Sequence, residues 1–145
     1  MKRLAITAVA SVAAILLVVA VSASGRSSSG GGTTIRVVQK QTSFQAVGNT
    51  ITITDDVFSH GRKTGRDQTA CIVIGTGAPG FLECWATHFF AGGQLESQAG
   101  VNPGANPTFT TAITGGTGRF RNARGTIDRT HISATENTLV FHITG

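Results

Sequence analysis

The chain has 145 residues with two cysteines, eight phenylalanines and no tyrosine, enough for one hydrophobic core. Twelve Lys and Arg against seven Asp and Glu give a formal charge of +5. That surplus is neither clustered nor interleaved with aromatic stacking platforms, so a nucleic-acid partner is not expected.

At the start of the chain, Lys2 and Arg3 precede an uncharged, mostly apolar run over residues 4–21, which ends in the small-x-small triplet Val21-Ser22-Ala23. This is the pattern of a signal peptide, with cleavage expected after Ala23 and a secreted product. The run is nearly long enough to span a bilayer, so an uncleaved anchor holding the protein at the cell surface is the competing reading. Its Ala, Ser and Thr content and small-residue ending favour removal, after which no membrane contact is expected. Residues 24–34, SGRSSSGGGTT, read as a flexible linker with nothing to bury, which leaves residues 35–145 as the folded domain.

From Ile35 onward the pattern is strands and turns, with no convincing helix. Residues 35–41 and 50–58 are rich in Val, Ile and Thr, and Ile51 and Ile53 alternate with Thr50, Thr52 and Thr54. A turn at Ser59-His60-Gly61-Arg62-Lys63 leads to a strand over 64–75, and GTGAPG separates it from one over 81–91. That hairpin would bring Cys71 and Cys84 face to face, and a secreted protein permits the disulfide. Further strands are expected over 94–101, 108–114, 119–130 and 137–144. Short antiparallel runs with hairpin-length turns suit an up-and-down barrel or a sandwich, and periodicity does not choose between them.

The glycine-rich stretch over residues 113–125, ITGGTGRFRNARG, resembles a nucleotide-binding loop. Such a loop must open a helix whose free N–H groups cradle phosphate. Between Arg119 and His131, however, Phe120 and Ile127 are the only large apolar residues, too few for a helical stripe. Gly115, Gly116 and Gly118 are therefore expected to build a tight turn between two strands.

Three segments, GRKTGRDQTACIVIG, ECWATHFFAGGQLESQAG and AITGGTGRFRNARGTI, together resemble the allene oxide cyclase barrel and dirigent protein superfamily, in particular small secreted bacterial members. Gly115-Gly116-Thr117-Gly118, Phe120 and Ala123-Arg124-Gly125 carry most of the likeness. The resemblance implies an eight-stranded antiparallel, lipocalin-like barrel around an apolar pocket, often in homo-oligomers such as dimers or trimers. It implies a small hydrophobic molecule as partner, and stereoselective cyclisation or isomerisation without metal or organic cofactor. The logic of such chemistry is templating, since a reactive substrate needs orientation and exclusion of water. Plant dirigent pockets use tyrosine together with acidic groups, and this chain lacks tyrosine, so the fold signature carries over and the active site does not; a non-catalytic secreted or cell-surface ligand-binding or interaction module is the alternative reading.

The residues 81–91 present Phe81, Glu83, Trp85, Thr87 and Phe89 on one face and Leu82, Cys84, Ala86, His88 and Phe90 on the other. Both faces hold large apolar groups, so which one points inward stays open. An inward Glu83 would have a raised pKa and serve as general acid beside Trp85 and Phe89; an outward one would be a solvated carboxylate. His88 is either a proton carrier or a hydrogen-bonded structural residue. Asp55 and Asp56 are adjacent and point to opposite faces, so they form no dyad with each other. Arg124 shares a face with Asp128, as an interior ion pair or a rim salt bridge, whereas Arg119, Arg121 and Arg129 read as solvent-facing. The expected polar pocket groups are thus Glu83, Asp67 and Arg124, with Trp85, Phe89 and His88 against the ligand. His60, His88, His131 and His142 give no HxH or HExxH, so no metal is expected. Residue order does not exclude a Ser-His-Asp arrangement, but no GxSxG elbow is present and hydrolysis is not expected.

Overall fold

The computed structural model describes residues 31–75, 80–102 and 108–145. The leader and most of the linker lie outside the described residues. Eight strands follow in order: β1 (Thr33–Val47), β2 (Thr50–Ser59), β3 (Arg62–Ile74), β4 (Phe81–Phe90), β5 (Gly93–Val101), β6 (Thr108–Gly116), β7 (Arg124–Ser133) and β8 (Glu136–Thr144). Each pairs antiparallel with the next and β8 returns to β1, so the sheet closes into a barrel and the sandwich alternative falls away. Closure removes the exposed edges that an open sheet would carry.

The inward face follows from side-chain alternation. On β8, Asn137, Leu139, Phe141 and Ile143 are buried while Thr138, Val140 and His142 are not. Val37, Val57, Leu95, Ile113, Phe120, Ala123, Ile127, Leu139, Phe141 and Ile143 form one apolar cluster. Phe90 packs against it, with its ring 5.5 Å from Phe141 and 5.7 Å from Phe120. These residues fill the end of the barrel where β1 begins and β8 finishes. Cys71 and Cys84 are direct partners in the β3–β4 ladder and are joined by the expected disulfide, with Cα atoms 4.1 Å apart. Among the described residues no helix is long and apolar enough to cross a membrane. That and the disulfide are compatible with an extracellular location.

Three expectations are corrected. β1 starts at Thr33, inside the stretch read as linker, and runs to Val47 rather than stopping near Gln41. Its last turn of sequence pairs only with β2, past a bulge between Gln41 and Ser43, while pairing with β8 ends at Lys40. A two-stranded extension leaves Phe44 and Val47 exposed, and so carries no hydrophobic alternation to reveal it. The third correction concerns the glycine run: β7 begins at Arg124, not Arg119, and a 3-10 turn at Gly118–Phe120 intervenes. That turn is docked on the β4–β5 connection, with Thr117 N–H donating to Gln94 O at 2.8 Å and Arg119 N–H to Gly92 O at 2.9 Å. The two chains approach so closely that a Cβ on Gly93 would overlap Thr117 O, and one on Gly118 would overlap Gly92 O. The glycines thus let a plug segment seat Phe120 across the barrel end, which a tight hairpin would not do.

Candidate active site

Above the apolar plug the barrel interior opens into a cavity of about 480 Å³. Its walls are Ile53, Leu82, Ala86, Ala99, Val101, Phe109, Ile127 and Leu139, with both disulfide cysteines. Gln39, Thr69, His88, Ser97, Gln98, Asn102, Thr111, Arg129, His131 and Asn137 supply the polar lining.

His88 stands at the centre of the floor because β4 turns Leu82, Cys84, Ala86, His88 and Phe90 inward. Its imidazole meets the Phe141 ring edge-on, with centroids 5.0 Å apart. Nε2 lies 3.0 Å from Ser97 Oγ, and Nδ1 lies 3.0 Å from Asp67 Oδ1. The second contact has ion-pair length, although its angle is not that of a hydrogen bond. Asp67 is 0% exposed, and its other oxygen accepts a hydrogen bond from Gln39 Nε2.

Asp55 lies directly opposite Asp67 in the β2–β3 ladder, and both carboxylates sit beneath the cavity floor. Neither oxygen of Asp55 has a hydrogen-bond partner among the described residues. Burial pushes its pKa up from 3.8 to about 6; Arg129 and His88 oppose the rise and the Asp67 charge adds to it. Burial likewise lowers the pKa of Arg129, against the pull of Asp55 and Asp67. The Arg129 guanidinium lies 5.7 Å over the Phe109 ring. Among the described residues it has no carboxylate within ion-pair distance. Gln39 Oε1 and Thr111 Oγ1 are also buried without a protein partner. A chamber with apolar walls, a cation outside ion-pair distance of a carboxylate among the described residues, and spare hydrogen-bonding capacity has the character of a small-molecule site.

Other solved structures share this architecture. The chain is similar to pyocyanin demethylase, with a TM-score of 0.67 and 21% identity over 77% of this chain and 100% of that one. It is similar to a pterocarpan synthase dirigent protein, with a TM-score of 0.62 and 20% identity over 79% of this chain and 87% of the other. It also matches an exo-specific intermolecular Diels-Alderase, with a TM-score of 0.57 and 14% identity over 79% of this chain and 100% of that one. The chain has the dirigent-type barrel fold. Neither a family model nor a curated protein sequence matches it.

Within this dirigent-type barrel the expected site residues separate. Asp67 and His88 are interior neighbours. Glu83, Trp85 and Phe89 are on the outer face, because the same register that turns His88 in turns them out. Trp85 is 42% and Phe89 38% exposed, and Glu83 accepts a hydrogen bond from Gln98 at 2.7 Å. Their expected roles as acid and ligand contacts are therefore withdrawn. Arg124 is exposed and donates to Ala123 O at 2.7 Å. Asp128 does not pair with it: it accepts from Thr110 Oγ1 at 2.8 Å and lies 3.1 Å from His142 Nε2. The Thr110 hydrogen bond, with His142, lowers the Asp128 pKa. Arg129, read as solvent-facing, instead enters the cavity. Asp55, Ser97 and Gln39 join the site only through strand pairing, which no local sequence signal displays.

Proposed function

We propose that this protein is a secreted barrel that binds a small, largely apolar molecule and templates an isomerisation or stereoselective cyclisation in it. The observation that carries the reading is the cavity of about 480 Å³, whose apolar side chains are interspersed with polar groups that include His88, Ser97 and Arg129. An eight-stranded barrel has room for about one small ligand, and enclosing it excludes water and restricts its conformers. His88, backed by Asp67, is the group that exchanges a proton with the ligand. Arg129 stabilises negative charge as it develops on a ligand oxygen, an interaction strengthened by the low-dielectric wall. Barrels of this shape include a demethylase, a pterocarpan synthase dirigent protein and a Diels-Alderase, which supports a small-molecule transformation.

An exposed apolar strip on the outside of β3 and β4, including Ile72, Ile74, Phe81, Trp85 and Phe89, suits self-association into a homo-oligomer. The leader would be removed on secretion, and a mature N-terminus near Ser24 found by mass spectrometry checks that step.

The test of function is ligand retention from extracts, followed by mass spectrometry of what is released. The parent and Glu83→Ala, whose side chain is outside the barrel, should retain the same small apolar compound. Leu139→Trp, which fills the cavity, should not. Retention of nothing small and apolar by the parent, or equal retention by Leu139→Trp, would sink the reading.

A further inference from the structure

Ser97 carries chemistry that templating does not use. We propose that Ser97, His88 and Asp67 form a nucleophilic relay, which gives this barrel an acyl-transfer activity toward esters of small apolar acids. Ser97 Oγ and His88 Nε2 are hydrogen-bonded at 3.0 Å, and His88 Nδ1 lies 3.0 Å from Asp67 Oδ1, at ion-pair distance. Nucleophile, base and orienting carboxylate within such reach are the recognisable geometry of an activated serine, whatever their order in sequence.

Three further features fit this role. Ser97 and His88 both line the cavity, whereas Asp67 lies beneath its floor. The nucleophile and base therefore meet a ligand while the carboxylate is shielded from it. Ser97 also faces a bulge, where Thr114 of β6 is left unpaired between Gly115, opposite Glu96, and Ile113, opposite Ser97; bulges are over-represented next to active sites. Finally, Asp67 is fixed by Gln39 and the imidazole by the Phe141 edge, so the base has a defined orientation. The Asp67 carboxylate at ion-pair distance from Nδ1 favours the tautomer that carries its proton there, and in that tautomer Nε2 accepts from the Ser97 hydroxyl.

In the acylation step, Ser97 Oγ bonds to the ester carbonyl carbon while its proton passes to His88 Nε2. The bond to the leaving alcohol then breaks, and that alcohol departs with the proton. Water attacks the acyl-serine, gives a proton to His88, and the acid leaves as Ser97 recovers its hydrogen. The balance is ester plus water to acid plus alcohol, with no oxidant or reductant. Arg129 on the cavity wall is the cation available to the oxyanion, and Ile53, Leu82, Ala99, Val101 and Leu139 enclose an apolar acyl chain. Asp67 acts as a positioning residue, holding the tautomer and stabilising the imidazolium.

The inference shares the cavity of the proposed function but not its chemistry, and its test separates the two. The full chain with its disulfide intact is treated with an alkyl fluorophosphonate, and the adduct is mapped by peptide mass spectrometry. In parallel, p-nitrophenyl butyrate hydrolysis is followed. The expected result is an adduct on Ser97 alone, with hydrolysis lowered by about 100-fold or more in Ser97→Ala and His88→Ala. Asp67→Asn should lower kcat and leave KM near the parent value, a split that a purely structural role would not produce. Absence of an adduct on Ser97 in the parent overturns the proposal without recourse to any variant, as does parental hydrolysis by Ser97→Ala. Retention of an apolar compound by the same parent sample would then leave the templating reading standing.

Discussion

Replacing Asp55 with asparagine removes a buried carboxylate whose ionisation the fold opposes. The folded pKa of Asp55 stands near 6 against an ordinary 3.8, chiefly through burial. Below about pH 3.8 the group is protonated whether the chain is folded or not, so it contributes no pH dependence. Between about pH 4 and 6 the unfolded chain ionises first and gains stability, so the folded state loses ground as pH rises. Above about pH 6 the loss levels off. At about 1.36 kcal/mol per pH unit, the full loss is about 3 kcal/mol. Urea denaturation of the parent and Asp55→Asn at several values from about pH 4 to 7.5 measures it. Any constant cost of burying the asparagine amide shifts the whole comparison equally, so the informative quantity is how the difference changes with pH. The variant should gain about 2–3 kcal/mol relative to the parent across that range. Parallel stability profiles would show that Asp55 ionises freely in the folded protein, and the account of the floor would fail.

The remaining predictions concern the frame around the site. Reducing the Cys71–Cys84 bridge, or replacing both cysteines with alanine, should lower unfolding free energy by about 3 kcal/mol for a loop of this length, seen as a shift in the urea midpoint. Gly118→Ala places a Cβ against the Gly92 carbonyl at a positive φ of 58°, and should cost about 2–4 kcal/mol and lower the melting temperature by about 10 °C or more. Phe141→Ala empties a fully buried position beside His88 and Phe90, and should cost about 3–5 kcal/mol by the same measurement.

The barrel was legible because its signals are local: alternation along each strand, turn residues between them and the glycine-aromatic signature near Phe120. The site was not, because it is assembled across strands. The β2–β3 hairpin shows why. Ser59 pairs with Arg62 and Phe58 with Lys63, and continuing that count would put Asp55 opposite Arg66, a simple ion pair. Instead Thr64 is skipped at a bulge, Val57 pairs with Gly65, and Asp55 comes to face Asp67. One unpaired residue converts an opposite-charge pair into two carboxylates side by side, and nothing in the composition of the segment announces it. The same limit applies to Arg129. Its alternation within residues 119–130 was read correctly as opposite to Arg124, but which face was the interior depended on Ile127 and the neighbouring strands. For β4 the apolar groups on both faces left the choice to the closed sheet, which exposes Trp85 and encloses His88.

The seating of Phe120 in the apolar cluster fills one end of the barrel interior among the described residues. On the proposed function, a ligand that reaches His88 would have no exit past Phe120 among the described residues. A bulky group on the trailing end of such a ligand would then slow exit as much as entry. A long polymer cannot be threaded past the floor; it can only be presented end first. The plug thus sets the traffic of the site as well as its stability.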